Sequence, residues 1–257
     1  MALVEYSVKD RIGYITLNRP EKRNALSPVI VTGLKEAFKK AESDDSVKVI
    51  VLRANGEAFC AGADLAYLQQ LQKFSFEENL ADSQHLKELL FMIYTLKKVV
   101  IAQVQGSALA GGCGLITVCD FVFATPEAKF GYTEVKIGFV PAIVMIFLLR
   151  KIGEARSKEL LLTGNLITAA AAQQIGIVNR VLDKLTLEKE VNDFATEMIS
   201  STSAQSLALT KKMISEVQHL TLEEALDFAA RQNAMARSTE DCKKGIDAFL
   251  NKQPLKW

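Results

Sequence analysis

Two short glycine-containing turns hold the residues of this sequence best placed to do chemistry: Cys60-Ala61-Gly62-Ala63-Asp64-Leu65 and Ala110-Gly111-Gly112-Cys113-Gly114-Leu115. Each lies between an apolar, strand-like run and a helix-like run, so each can present bare backbone amides at a helix start. Such N–H groups carry partial positive charge and attract anions. Two of them converging on one point would form an oxyanion hole for charge developing on a carbonyl or thioester oxygen, and one well-aimed donor is worth roughly 3 kcal/mol of barrier.

The elements that must position these turns read as a parallel α/β fold. Residues 4–8 and 14–17 form a hairpin, Ser27-Pro28 caps a helix whose apolar positions Ile30, Leu34, Ala37, Phe38 and Ala41 recur at helical spacing, and residues 47–52 form a buried strand. Helices over 64–71 and 76–96, a strand over 99–104, a short helix ending near 118 and a strand over 121–124 continue the alternation. Strands separated by helices pair in parallel through right-handed crossovers, and ligands collect at their carboxyl ends, where both turns sit. Beyond residue 140 helices dominate, over 143–151, 154–162, 168–175, 187–200, 204–217, 222–237 and 241–250, with one extended piece at 178–181. The change in architecture divides residues 1–197, an α/β core, from 198–257, a helical region.

Composition narrows the classes. The 257 residues are 49% hydrophobic with a formal charge of +1, which supports a large buried core and argues against general affinity for nucleic acid or anionic membrane. The longest apolar run, residues 139–149, is too short to span a bilayer, and the start of the sequence has no basic-then-apolar leader; the expected location is the cytoplasm. The four cysteines, Cys60, Cys113, Cys119 and Cys242, have no CxxC spacing, and the two histidines, His85 and His219, lie in helical runs. The cysteines read as small buried hydrophobes, and no metal is expected. Lys211-Lys212 and Lys243-Lys244 read as solvated charge.

Asn18-Arg19-Pro20 with Asn24-Ala25-Leu26, the Ala58 to Leu65 stretch, Gly106 to Gly112 ahead of Cys119-Asp120, Phe130-Gly131-Tyr132-Thr133-Glu134 and Leu162-Thr163-Gly164 together resemble the crotonase (enoyl-CoA hydratase/isomerase) superfamily, nearly end to end. The resemblance implies a crotonase-like spiral of repeated ββα units with a C-terminal helical trimerisation region, assembled as a homotrimer or homohexamer. It also implies an active site that polarises a coenzyme A thioester without any cofactor beyond the coenzyme A of the substrate. Carried over position by position, the oxyanion amides belong to Ala63 and Gly111. Glu134 stands where the family has the second of two glutamates. The place of the first is Gly114, a departure from the usual pattern. By the same resemblance Lys22 and Arg23, with backbone around Ala25, Ala61, Asp64 and Leu65, flank the coenzyme A, and Phe249 with Lys252 reach a ligand in a neighbouring subunit. Basic residues suit a ligand carrying several phosphates.

The stretches around Tyr67, 74–82 and 134–142, with Gly112-Cys113-Gly114-Leu115, look like bacterial methylglutaconyl-CoA hydratases of leucine breakdown. On that reading Gly114 leaves room for a branched acyl chain ending in its own carboxylate, with Glu134 as the sole protein acid/base. Enoyl-CoA isomerase or acyl-CoA decarboxylase chemistry would use the same hole, and a non-catalytic scaffold binding coenzyme A or RNA is the alternative outside enzymes. The near-neutral charge and lack of a basic aromatic surface weigh against RNA.

Overall fold

In the computed structural model, which describes residues 2–257, the chain opens with an antiparallel hairpin of β1 (Val4–Lys9) and β2 (Ile12–Leu17). Helix α1 (Pro28–Ser43) leads to β3 (Val49–Ala54), α2 (Leu65–Leu71) and α3 (Phe76–Thr95) to β4 (Val99–Val104), and β5 (Ala108–Leu109) with α4 (Gly111–Thr117) to β6 (Phe121–Ala124). Next come β7 (Lys129–Gly131), α5 (Ala142–Thr163), β8 (Ile167–Thr168), α6 (Ala169–Gln174), β9 (Arg180–Val181) and α7 (Leu187–Ser201). Helices α8 (Ala204–Glu216), α9 (Leu222–Arg237) and α10 (Glu240–Leu250) complete the order. The main sheet runs β1-β2-β3-β4-β6-β9, parallel from β2 onward, and a small second sheet runs β5-β7-β8.

The apolar runs of β2, β3 and β4 are continuous because both faces of the sheet are covered. Ile15, Leu17, Ile50, Leu52, Val100 and Ala102 point into the larger core, shared with Ile30, Leu34 and Phe38 of α1 and Leu89, Leu90 and Ile93 of α3. The alternate residues Ile12, Tyr14, Val49, Val51, Val99 and Ile101 meet Leu187, Val191, Ala195 and Ile199 of α7. The side-chain period of two thus sorts one strand between two helix layers. The expected division at 197/198 falls inside α7, whose last turn still packs on the sheet through Ile199.

Local signals behave unevenly. Pro28 opens α1 as expected, but the Ser27 side chain makes no cap bond; α3 instead carries a full capping box from Ser75 and Glu78. The helices expected over 143–151 and 154–162 are the two arms of α5, which breaks at Gly153, where φ is 77° and ψ 171°.

Four lysines close helix C-termini from a distance. Lys98 donates to the carbonyls of Ala41 and Asp44 at the end of α1, Lys211 to Ile93 near the end of α3, Lys151 to Thr117 and Cys119 after α4, and Lys48 to Ile199 and Thr202 at the end of α7. Each supplies a donor to carbonyls that the helix leaves unpaired and a positive charge to the negative end of its dipole. Lys211, expected to be solvated, is buried and ion-paired with Asp120 at 2.6 Å; only its neighbour Lys212 is exposed.

Candidate active site

An asparagine builds the first turn. Asn24 is buried, with φ 54°, a left-handed conformation that asparagine tolerates better than most residues. Its amide donates to the carbonyls of Asn55 and Ala58 at 2.9 Å, and its Oδ1 accepts the Arg19 N–H at 2.8 Å. Pinned in this way, the chain at Leu26 runs beside Ala63 as a parallel bridge: the Leu26 N–H donates to Gly62 O at 2.7 Å and the Asp64 N–H to Leu26 O at 2.8 Å. N–H groups alternate in direction along an extended chain, so the Ala63 N–H faces away from Leu26. Among the described residues it has no acceptor.

The second turn is aimed by strain. Ala110 sits at φ 50°, ψ −123°, a region L-residues rarely occupy, and its N–H is fixed to Gly131 O at 2.8 Å. Directly after it, Gly111 opens α4 with an N–H that finds no acceptor among the described residues. The two turns touch. A Cβ on Gly112 would lie 2.4 Å from Cys60 O, and one on Gly62 would lie 3.0 Å from the Ala110 Cβ, so α4 approaches the first turn at a distance only glycine allows.

A small sheet that periodicity alone did not reveal ties the segment leading to Glu134 to the second turn. Strand β7 pairs with β5, which ends at the residue before Ala110. One residue beyond β7, fully buried Tyr132 donates to the Thr117 hydroxyl at 2.7 Å, and that hydroxyl donates to Cys113 O at 2.8 Å. This clamp registers α4 against the segment that opens a 3-10 turn, Glu134–Ile137. Glu134 is 9% exposed, and its Oε2 has no hydrogen-bond partner among the described residues. Burial pushes its carboxyl above the ordinary range, with a bond from its own backbone N–H opposing. The Glu134 charge contributes to raising both Cys113 and Tyr132.

Gly114 gives a different result from that expected. Its Cα is buried, and a Cβ there would lie 2.3 Å from Cγ1 and 3.1 Å from Cβ of Val144, with Leu90 Cδ1 at 3.8 Å. The room expected beside Gly114 for a branched acyl chain is filled by Val144. Because α4 and α5 pack together at this point, the glycine serves close helix contact.

The remaining expected contacts divide. Lys22 and Arg23 are exposed on the first loop. The N–H groups of Ala25, Ala61 and Asp64 are engaged by Lys22, Arg23 and Leu26, which leaves the carbonyl oxygens of Ala25 and Ala61 without a donor among the described residues. The Asp64 side chain caps α2 by accepting from Ala66 and Tyr67 and pairs with Arg19 at 2.7 Å; burial opposes ionisation, yet these partners hold its carboxyl below the usual range. Leu65, the first residue of α2, is exposed. Phe249 and Lys252 lie at the end of α10, whose main packing partners are α8 and α9, so within one chain they are not joined to the turns.

Other titratable groups are accounted for structurally. Cys60, Cys113 and Cys119 are buried, which pushes their thiols up to about 12 and leaves them un-ionised. His85 bridges Thr32 and Lys35 between α1 and α3, and His219 lies against Arg150. Two clefts of about 440 Å³ lie away from the turns, one along α5 lined by Met145, Leu149, Lys158 and Leu161, the other between the first strand and α1.

A family model described as enoyl-CoA hydratase/isomerase matches residues 7–257. The chain belongs to this family. A Thermus thermophilus protein named provisionally as an enoyl-CoA hydratase is 42% identical over 246 residues, covering 96% of this chain and 97% of its own. The crotonyl-CoA hydratase of Syntrophomonas wolfei is 33% identical over 247 residues, covering 95% and 94%. Among solved structures, an enoyl-CoA hydratase of Mycobacterium smegmatis superposes with a TM-score of 0.93 at 30% identity, covering 99% of this chain and 98% of that one. The α/β core with its helical C-terminal region is therefore the crotonase fold, and this is an enoyl-CoA hydratase-like enzyme of the lyase class. No helix among the described residues is long and apolar enough to cross a membrane.

Proposed function

We propose that the chain adds water to, or removes it from, the double bond of an acyl-CoA thioester, with the Ala63 and Gly111 amides holding the thioester oxygen and Glu134 acting as the only protein acid/base. The observation that carries this reading is the buried Glu134 carboxyl with an unpartnered oxygen, on a segment tied by Tyr132 and Ala110 to the helix that opens at Gly111. Charge on the thioester oxygen would be met by two donors that no other acceptor engages, which lowers the barrier to an enolate-like state. A carboxyl raised towards neutrality exchanges protons with carbon acids and water more readily than an ordinary glutamate. The proposed ligand is the acyl-CoA, with Lys22 and Arg23 meeting its phosphates and no further cofactor.

For the acyl group, 3-methylglutaconyl-CoA is supported by the sequence stretches around Tyr67 and residues 134–142 and not by any space at Gly114. A second reading has its own support. Residue 114 supplies no carboxylate and its slot is taken by Val144, with Leu90 beside it, and shuttling one proton between carbons, as in enoyl-CoA isomerisation, needs only one. Incubation with crotonyl-CoA, a 3-enoyl-CoA and 3-methylglutaconyl-CoA, following new C–OH against migrated double bonds and released carbon dioxide, decides between them. Glu134→Gln should keep thioester binding and lower kcat by about 10² to 10⁴; undiminished turnover would remove Glu134 from the chemistry.

A further inference from the structure

We propose that Val144 is the specificity-determining residue of this site: it occupies the side-chain slot of residue 114 and sets how large a substituent the acyl chain carries on the α4 side. The inference rests on the thioester reading above. Gly114 lies one helical turn beyond Gly111, on the helix whose first N–H faces the proposed oxyanion. Val144 lies in the first turn of α5, which follows Pro141 and packs against both α4 and the 3-10 turn that begins at Glu134. It therefore packs on the helix that opens at the free amide and belongs to the helix that follows the carboxyl.

The slot is closed firmly. Val144 is buried, and valine in a helix is stiff about χ1, so Cγ1 cannot easily swing from its place 2.3 Å from the virtual Cβ. Even a rotated side chain would leave its own Cβ at 3.1 Å. Two consequences follow for the reaction. Neither residue 114 nor Val144 offers a side-chain group to hydrogen-bond water, so proton traffic is left to Glu134. Gly114 and Val144 also act as a pair: a side chain at 114 requires a smaller residue at 144. The accepted acyl-CoA thioesters are those compact at the β-carbon on the α4 side.

The test compares kcat/KM of wild type and Val144→Ala on straight-chain, β-methyl and β-isopropyl 2-enoyl-CoA thioesters. Removing two methyl groups from a pocket wall should raise the ratio of bulky to straight-chain kcat/KM by about tenfold or more. Val144→Ile, which adds a methylene, should move the ratio the other way and carries the test should the alanine variant fail to fold. Melting temperatures provide the second readout: Gly114→Ala should lower Tm in the native background and lower it much less in Val144→Ala. Unchanged ratios in an enzyme that turns over its substrate, or an equal Gly114→Ala penalty in both backgrounds, overturn the role of Val144 alone. Absence of both binding and turnover of every thioester by wild type overturns the thioester reading itself, and this inference with it.

Discussion

At Glu134 the demands of stability and chemistry oppose each other. Burial raises its folded-state pKa above the unfolded value, so between the two the folded protein binds more protons than the unfolded chain. Its contribution is complete below the unfolded pKa, near 4.5, and is lost as pH rises through the folded value. Glu134→Gln should therefore melt higher than wild type at pH 7, with the gap closing towards pH 4; a gap independent of pH would mean the carboxyl is not desolvated. Ala110 stores a different cost. Strain at such a backbone conformation amounts to about 1–3 kcal/mol, against about 0.5–1 kcal/mol for the extra freedom of a glycine. Urea titration of Ala110→Gly should thus show a stabilisation on the order of 1 kcal/mol; a loss would show that the turn is unstrained. The family resemblance singled out Glu134, Ala63 and Gly111 in the sequence, and the two amides are free of acceptors among the described residues. The resemblance did not reveal Val144 or the role of Asn24, because each acts across elements far apart in the chain.

Among the elements, helix periodicity located nearly every helix, and continuous apolar runs located the core strands. Strands β5, β7 and β8 escaped because two or three residues show no period; their pairing is fixed by backbone ladders that only the folded chain supplies. Those three strands tie the segment that leads to Glu134 to the turn at Ala110. Lysine 211 was equally opaque, since a Lys-Lys pair on an amphipathic helix looks the same whether its first member points in or out. The contrast is measurable. Lys211→Ala removes the partner of Asp120 and donors to two carbonyls, for an expected loss of about 3 kcal/mol, whereas Lys212→Ala should stay within about 0.5 kcal/mol. Asn24→Ala, which leaves the Asn55 carbonyl and the Arg19 N–H without a partner and the Ala58 carbonyl with only its bond from Gln105, should cost about 1–3 kcal/mol for each group left unsatisfied. It should also weaken turnover, because the Ala63 amide depends on that loop.

For the whole molecule, the helical end of the chain carries apolar surface that it does not cover itself. Helix α9 buries no residue, and Leu222, Leu226 and Met235 on it, with Ile246, Phe249 and Leu250 on α10, are all exposed. Self-association is the expected outcome, as a trimer or hexamer by light scattering, and Leu226→Glu with Phe249→Glu should lower the mass; a monomer at micromolar concentration would leave that surface unexplained. The lysines that close the four helices give the molecule a property of another kind. An amine-reactive reagent meets most lysines of this chain at the surface, but the nitrogens of Lys48, Lys98, Lys151 and Lys211 are held by carbonyls at helix ends and should react faster when a helix end lets go. Their labelling times would be four clocks, each timing the opening of one helix, and the clock at Lys151 would time the helix that begins at Gly111.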